Sequence, residues 1–86
     1  MIEVVIGTSS IELTGHANDK IVCAAVSAVT DMAGNYLKNY RRAKIKEDDG
    51  YTLIYDVRDP DDVAKALAVF LKRLAREHPE DIKIKH

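Results

Sequence analysis

The stretch IELTGHANDKIVCAAVSAV, residues 11–29, joins a strand pattern to a helix pattern across one turn. Apolar and polar residues alternate over its first four positions, which is typical of a half-buried strand. Gly15 interrupts the alternation, and either Asn18 or Asp19 is a favourable N-cap for a helix. The stretch therefore predicts a strand, a turn and a helix over about residues 20–38.

This first helix has one apolar face. Its apolar residues recur at intervals of three and four, which is the spacing of one side of an α-helix. They are Val22, Val26, Val29, Ala33, Tyr36, Leu37 and Tyr40. Gly34 weakens the helix without ending it. We expect this face, including both tyrosines, to be buried against a sheet.

Strand patterns lie on both sides of the first helix. Residues 2–6 are rich in β-branched side chains and predict a strand that precedes the opening stretch. Residues 41–47 alternate as a charged strand, Asp48-Asp49-Gly50 predicts a hairpin turn, and residues 51–57 predict the returning strand. A short last strand is predicted over residues 82–85.

A second helix follows this hairpin. Asp59 is predicted to cap it, with Pro60 in its first turn and two further acids at the positive end of its dipole. Pro79 ends it. Its buried stripe is predicted to consist of Val63, Leu67, Phe70, Leu71 and Leu74.

The predicted order of elements is ββαββαβ. It favours an α+β fold, with a largely antiparallel sheet of about four to five strands and two helices packed on it. From the second strand onward the order is that of a ferredoxin-like fold. A chain of 86 residues predicts a single domain over residues 1–86. Because this fold carries both enzymes and RNA-binding proteins, architecture alone does not select a function.

Composition restricts the classes of function. Charged residues make up 31% and hydrophobic residues 47%, which predicts a soluble globular domain. The formal net charge of −1 provides no overall attraction to nucleic acid or to an anionic membrane. A single cysteine cannot form an internal disulfide, and no apolar run has membrane length. We therefore expect a reduced, cytoplasmic protein, and a chain this small is expected to gain stability by dimerising.

The turn and the helix start also bring together residue types suited to thiol chemistry. If Asp19 caps the helix, Cys23 is its fourth residue, where the positive end of the dipole stabilises a thiolate. Lys20 favours the thiolate by the same electrostatics, and Asp19 opposes it. His16 lies in the turn, where an imidazole could accept the thiol proton and later protonate a leaving amine. Ser27 lies one turn after the cysteine on the same face, and first-turn amides are natural oxyanion donors.

Each of these residues also has a structural explanation. A lone cysteine between Val22 and Ala24 is usually a packed, small apolar side chain. A histidine after glycine in a turn is more often an exposed surface residue, and a mid-helix serine usually bonds to the carbonyl four residues earlier. Spacing alone therefore leaves catalysis and packing both open.

The motif TGHANDKIVCAAVSAV, residues 14–29, resembles the signature of the ribosomal-processing cysteine proteases, the Prp (YsxB-like) family. Residues 15–17 match the family's Gly-His-Ala turn, and residues 23–27 match its Cys-Ala-(Ala/Gly)-(Val/Ile)-Ser segment. Two features differ from many relatives. The loop between histidine and cysteine has only six residues, and Lys20 occupies the position of an aspartate for which Asp19 is a stand-in.

The resemblance implies a cysteine endopeptidase with a Cys–His dyad. Members remove a short N-terminal extension from a large-subunit ribosomal protein of the bL27 type, cutting after an aromatic residue. They are typically homodimers that use no metal or cofactor. Cys23 would be the nucleophile and His16 the base. The substrate-binding or supporting residues would be Gly15, Asp19, Lys20 and Ser27.

An alternative function is a non-catalytic module that binds ribosomal RNA or a ribosomal protein. A local basic run of Lys38, Arg41, Arg42, Lys44 and Lys46 could contact phosphates. Solvated charges on an edge strand explain this run better, because no RNA-stacking aromatic motif accompanies it. The histidines and the cysteine lack metal-site spacing, and His78 and His86 are expected to face solvent.

Overall fold

The computed structural model describes residues 1–85, and the chain folds in the predicted order of elements. The elements are β1 (Ile2–Ile6), β2 (Ile11–Gly15), α1 (Lys20–Asn39), β3 (Lys44–Asp48), β4 (Tyr51–Tyr55), α2 (Val63–Glu77) and β5 (Ile82–Lys85). Five strands form one sheet, and with the two helices they make the predicted α+β fold. His86, which is expected to face solvent, lies outside the described residues.

The sheet is mixed, with one parallel pair. Its strand order is β3-β4-β2-β1-β5. The β1 strand pairs antiparallel with β2 and parallel with β5, whereas β4 pairs antiparallel with both β2 and β3. Because β1 lies between β2 and β5, the sheet departs from the ferredoxin-like arrangement suggested by the order of elements, in which β2 and β5 would be neighbours. The β3–β4 hairpin forms one edge of the sheet.

One hydrophobic core lies between the sheet and the helices. The strands contribute alternate residues, such as Ile2 and Val4, because successive side chains of a strand point to opposite faces. The helices contribute residues three or four positions apart. The helical members of the core are Val22, Val26, Ala33, Leu37, Ala64, Leu67, Leu71 and Leu74. This packing fixes the start of α1 beside the end of β2, where the turn with His16 lies.

Three aromatic residues predicted to be buried lie at the surface. Tyr36, Tyr40 and Phe70 are 36%, 61% and 38% exposed. The two tyrosine rings pack together with centroids 4.7 Å apart, and the Tyr36 hydroxyl donates a hydrogen bond to Asp61 at 3.0 Å. Thr30 is buried on α1 instead. The prediction was wrong because periodicity locates a helix face without locating its edges, where a tyrosine can keep its hydroxyl in water.

The β3–β4 hairpin is shorter than predicted at its open end, since β3 begins at Lys44 and β4 ends at Tyr55. Arg41 and Asp56 have φ values of 57° and 52°, so the chain turns away from the sheet at both places. The amides of Arg41 and the next residue donate to two carbonyls of the last turn of α1, at 3.0 and 2.7 Å. This pattern is a Schellman motif, which uses these residues to end the helix.

The α2 helix begins at Val63, so Pro60 precedes the helix and does not lie in its first turn. Asp59 caps the helix as predicted, but from outside its first turn. Its two carboxylate oxygens accept hydrogen bonds from the amides of Val63 at 2.7 Å and Lys65 at 3.0 Å. Asp62 occupies the N-cap position with a φ of 58° and makes no side-chain cap bond.

We expect Asp59→Ala to lower the free energy of unfolding by about 1–2 kcal/mol, because two helix-start amides lose their acceptors. Asp62→Ala is the matched control, since it removes a nearby carboxylate that caps no amide. Its loss is expected to be less than half as large. Urea unfolding followed by circular dichroism measures both values. Equal losses in the two variants would show that Asp59 stabilises α2 only through its charge.

Candidate active site

The turn that carries His16 is fixed from two sides. Gly15 has a φ of 98°, and its amide donates to the Gly50 carbonyl at 2.8 Å, which joins the end of β2 to the tip of the β3–β4 hairpin. The Asn18 amide donates to Oδ1 of Asp81 at 3.1 Å, and Asp81 is a buried acid at the start of β5. Strand pairing and one buried carboxylate therefore position this loop.

The start of α1 is the predicted one. Asp19 is the N-cap, with Oδ1 accepting the Ile21 amide at 2.8 Å, and the Cys23 amide donates to the Asp19 carbonyl at 3.1 Å. Cys23 is therefore the fourth residue of the helix. The amides of Lys20 and Val22 make no hydrogen bond within residues 1–85. Neither residue lines the cleft that contains Cys23.

The Cys23 sulfur is held by the backbone of the histidine turn. Its Sγ accepts a hydrogen bond from the Ala17 amide at 3.0 Å and lies 3.4 Å from the Ala17 carbonyl oxygen, to which the thiol donates. The cysteine is half-buried. The two contacts fix the position of the sulfur against the backbone of the histidine turn. Sequence reasoning missed this role of Ala17, because a backbone contact leaves no residue-type signal.

His16 faces the tip of the hairpin. Its Nε2 lies 3.7 Å from Oδ1 of Asp49, and its side chain is 66% exposed. Gly50 leaves room for the ring, since a Cβ at that position would be 2.8 Å from Nε2. Within residues 1–85, no hydrogen bond joins His16 to Cys23. The structure brings the two side chains to one cleft, where Cys23 contacts the backbone of Ala17 and His16 contacts Asp49.

This cleft has a volume of about 270 Å³ and lies between α1 and the β3–β4 hairpin. Four of the predicted site residues line it, namely Gly15, His16, Cys23 and Ser27. Asp19 and Lys20 do not. Asp19 acts through the helix start that it caps, and Lys20 is the exposed first residue of α1. The predicted residues thus divide into a group in the cleft and a group behind it.

The opposite wall of the cleft comes from the hairpin. Tyr51 belongs to this wall, and its hydroxyl donates to Oε2 of Glu12 at 2.7 Å. This hydrogen bond raises the pKa of Tyr51 above its ordinary value of 10.0, so the phenol stays protonated at neutral pH and is no general base. Sequence reasoning treated the hairpin only as a turn. The pairing of β4 with β2, which local patterns do not specify, makes it a wall.

The predicted basic run lies at the end of α1 and along β3. Lys38, Arg41 and Lys44 line a groove together with Arg58, at the end of the hairpin away from the cleft. Lys44 also pairs with Asp56 at 3.4 Å in that groove. Lys46 instead lies over the ring of Tyr55, 5.3 Å from its centroid. Tyr55 is the cross-strand partner of Lys44, so Lys44 and Lys46 lie on one face of the hairpin.

No group of three or more histidine, cysteine or acidic side chains in residues 1–85 is arranged to hold a metal ion. Neither helix in that range is both long enough and apolar enough to cross a membrane.

Comparisons with known proteins assign a family. Residues 1–83 match the family described as Cysteine protease Prp. A crystal structure of an essential ribosomal processing protease Prp from S. aureus, covalently linked to a product peptide, has a TM-score of 0.77 and 26% identity. That match covers 98% of this chain and 95% of the other. A second S. aureus Prp structure, in complex with a substrate peptide, has a TM-score of 0.77 at 23% identity over the same shares and supports the fold alone.

A structure from Streptococcus mutans has a TM-score of 0.72 and 27% identity, over 98% of this chain and 90% of that one. A comparison with curated proteins gives no significant match. The family match spans nearly the whole chain and includes the cleft with its single cysteine. The chain therefore belongs to the Prp family of cysteine proteases.

Proposed function

We propose that this cysteine peptidase removes a short N-terminal extension from a large-subunit ribosomal protein of the bL27 type, cutting after an aromatic residue. Cys23 is the nucleophile and His16 the base. The observation that carries the proposal is that both side chains line one cleft, with the sulfur at the start of α1. The S. aureus relative that is covalently linked to a product peptide supports it.

The reaction begins with transfer of the thiol proton to His16. The imidazole is two-thirds exposed and loosely paired with Asp49, so it can rotate toward Cys23 when a peptide enters. The sulfur then attacks the carbonyl carbon. The oxyanion forms beside the start of α1, where the positive end of the helix dipole favours negative charge. The C–N bond breaks as His16 protonates the leaving amine, and water hydrolyses the thioester in a second step with His16 as base.

The remaining predicted residues support this arrangement. Gly15 and Asp19 shape the turn and the helix start through the contacts described above. Ser27 lines the cleft one turn beyond the nucleophile and is placed to contact the bound peptide. Lys20 lies outside the cleft and places a positive charge at the start of α1, three residues before Cys23.

The test is cleavage of a peptide that spans the N-terminal extension of the host's bL27-type protein, followed by mass spectrometry. Since Cys23 is the only cysteine of the chain, iodoacetamide modifies one thiol and gives a matched inactive control. Cleavage by the free enzyme at one bond after an aromatic residue, lost on alkylation, is the expected result. Cleavage that survives complete alkylation would reject the proposal. Binding of the peptide without cleavage would favour the alternative function, a non-catalytic module that binds a ribosomal protein.

We also propose that the enzyme is a cytoplasmic homodimer. The single free thiol suits a reducing compartment. Val69 and Phe70 on α2, and Met32 on α1, are large apolar side chains that remain exposed in the single chain. A second copy would cover such residues and add stability to a small core. Sedimentation over a range of concentrations checks the dimer, and a monomer at every concentration would reject it.

A further inference from the structure

The cleft carries a concentrated negative charge. Asp31 on α1 and Asp48 and Asp49 on the hairpin line it, whereas no lysine or arginine of residues 1–85 does. The whole chain is nearly balanced, with 14 acidic and 13 basic residues, so this concentration is local. Asp49 lies beside His16, but Asp31 and Asp48 form no ion pair within residues 1–85. Their charges are available to a bound cation.

A residue with a buried, unpaired hydroxyl lines the same cleft. Thr30 lines the cleft next to Asp31 and is only 4% exposed, and its Oγ1 has no hydrogen-bond partner within residues 1–85. Buried hydroxyls are nearly always paired, and a mid-helix threonine usually bonds to the carbonyl four residues earlier. Threonine adopts two χ1 rotamers in helices, so a rotation exchanges the methyl and hydroxyl positions. The hydroxyl can therefore reach a group that enters the cleft.

The spacing along α1 relates this end of the cleft to the nucleophile. Cys23, Ser27, Thr30 and Asp31 lie on one side of the helix, and all four line the cleft. Asp31 lies eight positions after Cys23, which corresponds to about 12 Å of helix. An extended peptide covers the same distance with roughly three or four residues.

We infer that Thr30, Asp31 and Asp48 form a subsite for a lysine or arginine side chain of the substrate peptide. That side chain lies three or four residues from the bond that is cut. The inference rests on the proposed function and specifies its substrate class. The carboxylates attract the cation and exclude acidic residues, while the threonine hydroxyl accepts one of its N–H groups.

The test measures binding separately from turnover. The Cys23→Ala protein binds fluorescent nonapeptides with one fixed central phenylalanine and a single lysine at each other position in turn. The same peptides with norleucine in place of lysine are the neutral references. At one or two adjacent positions, three or four residues from the phenylalanine, lysine is expected to tighten binding by about threefold to tenfold. The preference falls in 1 M salt, where the screening length is about 3 Å.

Two substitutions separate a specific subsite from general charge attraction. Asp31→Asn in the same protein is expected to abolish the lysine preference. Asp61→Asn is the matched control, because it removes the same charge outside the cleft and keeps an oxygen for the Tyr36 hydroxyl. Any of three results would overturn the inference. They are a lysine preference of equal size at every peptide position, a lysine preference that survives Asp31→Asn, and no binding of any peptide.

The role of the hydroxyl has its own variant. Thr30→Val keeps the shape of the side chain and removes the unpaired group. It is expected to raise Tm by a few degrees in the free protein and to lower the lysine preference at least about twofold. A lower Tm with an unchanged preference would assign Thr30 to packing and remove it from the subsite. Cleavage of the same peptides by the wild-type protein distinguishes this inference from the proposed function. A lysine preference in binding without any cleavage would count against the protease. Cleavage without a lysine preference in binding would count against the subsite.

Discussion

Replacing Cys23 with alanine is expected to lower kcat/KM for peptide cleavage by at least about a thousandfold, to the limit of detection. The variant lacks the atom that forms the thioester, and no other thiol exists in the chain. The loss should lie in kcat, because the peptide still contacts the cleft walls. Single-turnover cleavage followed by mass spectrometry, with peptide affinity measured on the same sample, separates the two quantities.

Ser27→Ala is the matched control for Cys23→Ala, since it removes a small polar atom from the same side of α1 one turn away. Its effect is expected to be below about tenfold, because a contact to substrate contributes far less than the nucleophile. Both variants should keep the far-ultraviolet circular dichroism spectrum and Tm close to those of the wild type. Cleavage that persists in Cys23→Ala would show that another group performs the attack.

The same comparison applies to the base. His16→Ala is expected to reduce kcat by roughly a hundredfold or more, the range found for general acid–base groups. His78 is the matched histidine outside the cleft, at the C-cap of α2, and His78→Ala should leave kcat unchanged. Equal activity in both variants would remove His16 from the dyad and leave its pairing with Asp49 as its only role.

Much of the fold could be predicted from sequence because its signals are local. Alternation marked the strands, Asp49-Gly50 marked the hairpin, and Asp19 marked the start of α1. The position of β1 between β2 and β5 had no such signal, because strand neighbours are selected by packing across the whole domain. The start of β3 was predicted three residues too early, because Arg41 takes a left-handed conformation that usually belongs to glycine.

The candidate site shows the same division. Residues on one continuous stretch, His16, Cys23 and Ser27, were predicted to lie together and do line one cleft. Asp81 was not predicted, although it holds the loop from β5, 63 residues away from its partner Asn18. Such contacts depend on the completed sheet. Local sequence therefore identifies the candidate reactive groups, whereas the groups that position them become visible only in the fold.

Gly15→Ala is expected to lower the free energy of unfolding by about 2–4 kcal/mol, a fall in Tm of roughly 10–25 °C for a domain of this size. The φ of 98° at Gly15 lies outside the region that alanine adopts readily. A Cβ there would also collide with the carbonyl oxygen of Met1, which is backbone and cannot rotate away. The pairing of β1 with β2 must therefore shift.

Gly7→Ala is the matched control, because its Cβ would meet only the hydroxyl of Ser10, at 2.7 Å, and that side chain can change rotamer. Its loss is expected to stay near 1 kcal/mol or below. Thermal unfolding measures both variants. Gly15→Ala should also lose activity at temperatures where it is still folded, because the Gly15 amide joins the turn of His16 to the hairpin. Full activity in a folded Gly15→Ala protein would show that this link serves stability alone.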